Sequence, residues 1–300
     1  MSGHLVGKTA LVTGATSGIG FYTALGLARD GADVIVGARN ETRGRNAVEA
    51  IRKMNGGSKI DYLVADLSSM AGVRGLAEAT IDQNSRLDIL VNNVGGFFLA
   101  REVSVDGYEM TFALNHLSYF LLTELLMDLL VESAPARIVN VSSVAHRNSR
   151  INFDDPQMMN RRYWPMTAYG QSKLANVLFT YELAHRLVDT GVTANALHPG
   201  LVRTGLGTKH IFRLLVPFVW FGLIMAMSPE EGAKTSLLLA ASPELEGVTG
   251  KYYNTGKEVR TSRRSYDKSA AERLWDLSEE LTGLRSAKAQ LGTRLASGSN

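Results

Sequence analysis

Short apolar runs alternate along this chain with longer segments of mixed polarity. The runs Thr9–Thr13 (TALVT), Asp33–Gly37 (DVIVG), Ile60–Ala65, Leu87–Asn92 (LDILVN), Ala136–Val141 (ARIVNV) and Thr193–Leu197 are rich in aliphatic residues. Strands with so little polar interruption suit a sheet covered on both faces, which is the parallel kind. Between them, Ile19–Asp30, Thr42–Asn55, Met70–Asn84, Phe112–Glu132 and Tyr169–Thr190 have the length and spacing of helices. Strands that alternate with helices join by right-handed crossovers, so the pattern predicts an α/β, doubly wound parallel sheet. Neither a Pro/Gly/Ser-rich linker nor an internal repeat divides the chain. Residues 1–285 are therefore expected to form a single domain, and the polar, small-residue stretch 286–300 to fray.

Composition narrows the class further. An apolar fraction of 45% with 20% charged residues is that of a soluble globular protein and excludes disordered or fibrous classes. The absence of cysteine rules out disulfides and thiolate metal sites and predicts an intracellular, cytoplasmic setting. A net charge of +3 is too small to imply nucleic acid as a partner, and the cluster Arg260, Arg263 and Arg264 reads as a solvated face. Met1–Lys8 lacks the basic and apolar regions of a signal peptide. The apolar stretch Leu214–Met227 contains Pro217 and falls short of the roughly 20 residues that cross a bilayer, so no transmembrane segment is expected. It reads as a buried or lid helix, with a protomer contact or peripheral membrane contact through 211–227 as the alternatives. Histidines 4, 116, 146, 185, 198 and 210 show no metal-ligand spacing, and no metal is expected.

The chemistry begins where the first strand runs into Gly14, Thr16, Ser17, Gly18, Ile19 and Gly20, with the spacing G-x-x-x-G-x-G. Glycines there let the backbone turn tightly and approach a pyrophosphate at the N-terminus of the next helix. The second strand ends at Arg39-Asn40, with Arg43 one helical turn on. An acid at this place would hold a ribose 2′-hydroxyl, whereas a guanidinium favours a 2′-phosphate. The cofactor expected is NADP(H). Farther along, Tyr169 and Lys173 stand at i and i+4, on one helix face. An ammonium beside a phenol is expected to lower the tyrosine pKa toward working pH and make it a general acid or base. Ser143 follows the fifth strand at the sheet edge where ligands of such folds bind.

In order and spacing, these motifs resemble the short-chain dehydrogenase/reductase family, in its retinol-dehydrogenase-like branch. The matching segments are TGATSGIG (Thr13–Gly20), ADL (Ala65–Leu67), NNVG (Asn92–Gly95), LNHLSYF around Asn115, IVNVSS (Ile138–Ser143), Tyr169 to Lys173, and HPGLVRT (His198–Thr204). The resemblance spans about residues 5–285 and implies a Rossmann-type fold. It implies catalytic roles for Asn115, Ser143, Tyr169 and Lys173, choosing Ser143 over Ser142. Asp66 and Leu67 would flank adenine, and Asn93, Val94 and Gly95 would line the cleft. Tyr169, Lys173, Pro199, Gly200, Val202 and Thr204 would contact the nicotinamide end, Lys173 through its ribose. The family pattern has an alanine where this chain has Val94. The resemblance also implies a homo-oligomer, a dimer or tetramer paired through two long helices.

The substrate would lie between Phe97-Phe98, the loop after Ser143, and 205–230, which reads as a lid insertion rich in Phe, Leu, Trp and Met. Pockets of that lining suit a hydrophobic alcohol or carbonyl compound, and His146 is a further candidate to touch it. The alternative is a non-catalytic NADP(H)-binding redox sensor of the same fold. Loss of Tyr169 or Lys173 would favour that reading, and both are present.

Overall fold

The computed structural model describes residues 3–55, 58–202 and 227–285. The expectations for Thr204, the lid residues 205–226 and the tail 286–300 lie outside these. The described residues contain one eight-stranded sheet in the order β3-β2-β1-β4-β5-β6-β7-β8. The strands are β1 (Thr9–Thr13), β2 (Asp33–Ala38), β3 (Ile60–Val64), β4 (Ile89–Asn92), β5 (Ala136–Val141), β6 (Val192–His198), β7 (Tyr252–Asn254) and β8 (Lys257–Glu258). All neighbours pair in parallel except β8, which runs antiparallel to β7. The chain order reverses beside β1, so the carboxyl ends of β1 and β4 flank a switch point where such sheets bind ligands.

Helices α1 (Gly18–Arg29), α2 (Glu41–Asn55), α3 (Met70–Gln83), α4 (Met110–Phe112), α5 (Ser118–Leu125), α6 (Met127–Glu132), α7 (Pro165–Arg186), α8 (Pro229–Ala241) and α9 (Lys268–Thr282) complete the described elements, with short 3₁₀ turns between some of them. The period of two along each strand sorts the core into two layers. Leu11, Ile35, Leu90, Ile138 and Ala194 join Val73, Phe120, Leu178 and Trp275 on the face covered by α3, α5, α7 and α9. Ala10, Val12, Val36, Ile89, Val91 and Val139 join Leu25, Val48 and Leu239 under α1, α2 and α8. Both faces of the central strands are thus dry, which is why their sequences are apolar rather than alternating, while edge strand β3 is only partly covered.

Three features depart from the sequence expectation. Beyond the six expected strands stand β7 and β8, and α8 and α9 were not anticipated. The helix expected over Phe112–Glu132 is broken: α4 runs into a π-helical turn, Ala113–Leu117, then α5, and a break at Leu126 precedes α6. And α7 begins four residues before Tyr169, with Pro165 in its first turn, where a missing N–H costs nothing.

Candidate active site

The loop from β1 to α1 is shaped by glycines with no room for a side chain. Gly14 (φ +65°) and Gly18 (φ +62°) occupy the left-handed region. A Cβ on Gly20 would overlap the Asn93 amide nitrogen and come within 2.6 Å of the Gly14 carbonyl oxygen. Ser17 stands at the N-cap of α1, yet its hydroxyl makes no bond to the helix. The helix therefore presents its first amides and its positive end beside a loop of bare backbone, which suits a pyrophosphate. Opposite, the Thr13 hydroxyl accepts from the backbone N–H groups of Asn93 (2.9 Å) and Val94 (3.1 Å), and the Asn93 amide donates to Thr13 O (2.8 Å). These bonds tie the segment after β4 to the floor.

At the end of β2, Arg39, Asn40 and Arg43 are exposed. The Asn40 carboxamide accepts from Arg43 N at 3.2 Å and so starts α2. Among the described residues, no acid pairs with either arginine. Asp66 is exposed, its carboxylate bonded to Ser68, and Leu67 is buried. Glycine and guanidinium together fit a phosphorylated dinucleotide.

The four expected catalytic residues converge at the carboxyl edge of β4 and β5. Asn115 lies within the π-helical turn, fully buried. Its carboxamide brackets one residue, accepting from Gly96 N (2.7 Å) and donating to Gly96 O (3.0 Å), and it also donates to Ser172 Oγ (3.0 Å). A Cβ on Gly95 would sit 3.3 Å from Asn115 Oδ1 and 3.6 Å from Lys173 Nζ, so cleft loop, asparagine and lysine meet at one point. Lys173 is buried, donates to Val141 O at 3.0 Å, and lies 5.7 Å from the ring centroids of both Tyr119 and Tyr169. Burial pushes its ammonium down to about 7. Tyr169 packs edge-on against Phe97 at 5.5 Å between centroids, with the Ser143 hydroxyl near enough to favour its phenolate. Ser142, in contrast, donates to Lys173 O at 2.8 Å inside the core.

Two expectations need correction. The Tyr169 phenol is not lowered in this site: burial pushes it up, and the Ser143 bond pulls it only part of the way back. The lysine that was to lower it is itself disfavoured as a cation by the same burial. His146 does not line the mouth. It is fully buried, with Nδ1 on Ser143 O at 2.7 Å and its ring 4.8 Å from that of Tyr252. It braces the turn that carries Ser143.

After β6, where the sequence places the nicotinamide end, Gly200 takes φ +93°, and a Cβ on it would strike Met227. Val202 bridges to Met227 and packs against Gly232 of α8, which also abuts Ile19. Pro199 is buried at the close of β6. Composition could not have pointed to Thr13, Tyr119 or Asn176 as parts of the site. Thr13 and Tyr119 act through bonds to distant backbone, the latter donating to Val94 O at 2.7 Å.

Comparison with known proteins agrees with this geometry. A sequence model of the short chain dehydrogenase family matches residues 8–211. Retinol dehydrogenase 14 of Homo sapiens is 43% identical, covering 94% of this chain and 88% of its own length. A crystal structure from Mycobacterium Paratuberculosis superposes with a TM-score of 0.75 at 35% identity, covering 93% of this chain and 94% of that one. The Pseudomonas aeruginosa RhlG/NADP complex has a TM-score of 0.69 at 31% identity, over 84% and 96% of the two chains.

Proposed function

The chain belongs to the short-chain dehydrogenase family, and on that premise we propose that it is an NADP(H)-dependent oxidoreductase acting on an apolar alcohol or carbonyl compound. The observation that carries this reading is the convergence of Ser143, Tyr169, Lys173 and Asn115 beside a glycine floor. The bound nicotinamide supplies or accepts the hydride. In reduction, the Ser143 hydroxyl holds the carbonyl oxygen and Tyr169 gives that oxygen its proton as the carbon is reduced. Charged Lys173 offsets the phenolate left behind, and in oxidation the proton travels the opposite way. A phenol pushed up by burial is a weak acid alone, so the positive charge at Lys173 decides how readily it works.

NADP(H) is favoured over NAD(H) by exposed Arg39 and Arg43 at the end of β2, where no acid replaces them. An apolar substrate is supported by exposed Leu99, Val144, Met159, Trp164, Met166 and Leu201, which lie on segments following β4, β5 and β6. The name of the retinol dehydrogenase relative points the same way. The test is Tyr169→Phe, assayed with NADPH and a series of apolar aldehydes. NADPH binding should persist while turnover falls by about a hundredfold or more, the scale of a lost acid–base group. Wild-type turnover in that variant would remove Tyr169 from the chemistry.

A further inference from the structure

Behind Asn115 lies a second set of buried polar groups that the reaction as described does not use. The backbone carbonyl of Asn115, inside the π-helical turn, accepts from Asn176 Nδ2 at 2.8 Å. Asn176 Oδ1 lies 3.3 Å from Nδ1 of His116, and His116 Nε2 lies 2.9 Å from Ser278 Oγ on α9. All four residues are fully buried, and Phe112 and Phe179 pack against the imidazole at 5.0 and 6.2 Å between centroids.

The donors in this chain can be assigned from its ends. Asn176 Nδ2 lies near two carbonyls, of Asn115 and of Val141 (3.5 Å), so the nitrogen must face them and Oδ1 must face His116. Oδ1 accepts only, hence Nδ1 of His116 carries a proton. Burial among apolar rings keeps the ring neutral, its pKa pushed down to about 4. Nε2 is then a bare acceptor, and the Ser278 hydroxyl shares its one proton between Nε2 and Leu274 O, 2.9 and 2.7 Å away.

We propose that Ser278, His116 and Asn176 form a one-directional hydrogen-bond relay from the C-terminal helix that holds the Asn115 π turn in place, making them positioning residues for the active site. Asn115 in turn brackets Gly96, beside the Gly95 backbone that meets Lys173. Loss of the Ser278 hydroxyl would leave Nε2 a buried acceptor without a donor while Nδ1 keeps its proton on Asn176 Oδ1. The imidazole would lose its anchor on α9, and with it the Asn176 amide that donates to the Asn115 carbonyl. The helix α9 thereby sets the geometry of a site to which it contributes no contacting group.

The consequence for turnover rests on the proposed oxidoreductase reading, but the tautomer does not. The decisive experiment is two-bond ¹H–¹⁵N correlation of the histidine rings at neutral pH, in wild type and in Ser278→Ala, with turnover measured in parallel. Wild-type His116 should show a protonated Nδ1 and a bare Nε2, and Ser278→Ala should shift the Nε2 resonance by removing its donor while Nδ1 stays protonated. In that variant kcat should fall about tenfold while the KM for NADPH stays within about twofold, the effect of one lost buried hydrogen bond. Ser278→Thr, which keeps the hydroxyl, should restore both. A wild-type ring protonated at Nε2 overturns the relay whatever the activity. The assigned tautomer with unchanged kcat in Ser278→Ala overturns its positioning role. A wild-type protein with the assigned tautomer and no turnover would count against the oxidoreductase reading alone.

Discussion

Replacing Gly20 by alanine adds one methyl group at the place where the cofactor floor has least room. The new Cβ would overlap the Asn93 amide nitrogen, lie 2.6 Å from Gly14 O and 3.0 Å from Ala15 Cα. Asn93 can swing aside only by giving up its 2.8 Å bond to Thr13 O, at about 1 kcal/mol. The other two neighbours are backbone and must move bodily, which costs ~1–3 kcal/mol. The sum, ~2–4 kcal/mol, is within the stability of a domain this size, so the variant should fold with a lowered melting temperature. Its loop, however, will be displaced where backbone amides should meet phosphate. If ~1.5 kcal/mol or more of the displacement is felt by the ligand, NADPH binding weakens at least about tenfold. Fluorescence titration with NADPH, beside thermal unfolding, measures both. The control is Gly75→Ala in α3, where an added Cβ meets nothing within 4 Å. That change should leave NADPH binding alone and raise stability by up to about 1 kcal/mol. Wild-type affinity and melting temperature in Gly20→Ala would refute the reasoning from packing.

Other consequences can be checked as directly. Arg39→Asp should weaken NADPH relative to NADH by about tenfold or more, since an exposed charge-assisted contact is worth ~1–2 kcal/mol; an unchanged ratio would remove Arg39 from phosphate recognition. The depressed Lys173 value carries a sign. Between about 7 and its unfolded value near 10.4, the unfolded chain holds a proton that the folded chain does not, so stability of the free protein rises with pH there. Lys173→Met should flatten that rise in urea unfolding followed across the window, and an unaltered slope would mean the ammonium is not desolvated. The hydroxyl pair predicts that Ser143→Ala raises the Tyr169 phenol further and shifts the alkaline limb of any pH–rate profile upward. A limb that stays in place would break the assignment.

The parts of the fold that the sequence shows plainly are those where a period or a spacing is local. Five of the six expected strands have four or more consecutive buried residues, and such runs stand out against helices; β3, at the sheet edge, is only partly buried. By contrast, β7 and β8 have three and two residues, too few for any pattern to register. Helix α8 was readable in principle, since Ser228-Pro229-Glu230-Glu231 is a start signal and the Ser228 hydroxyl accepts from Glu231 N. The π turn at Ala113–Leu117 has no mark of its own, because what holds it comes from Gly96 and Asn176, 19 and 61 residues from Asn115.

The site follows the same division. Tyr169 and Lys173 share a helix face by spacing alone, and the glycines of the floor announce themselves by order. The direction of the tyrosine shift could not be read that way: i and i+4 spacing shows the lysine but not the burial that opposes it. His146 was misplaced for the same reason, since three residues after a serine could mean a pocket wall or a buried brace. His116 and Ser278, separated by 162 positions, meet only once α5, α7 and α9 have packed on one face of the sheet.

The most direct test of the account is to mix purified protein with NADPH or NADH and an apolar aldehyde and follow the loss of reduced nicotinamide. The account predicts consumption that prefers NADPH and disappears in Tyr169→Phe. Tight NADPH binding with no consumption across apolar aldehydes and the corresponding alcohols would contradict it and leave a binding protein built on the fold of an enzyme.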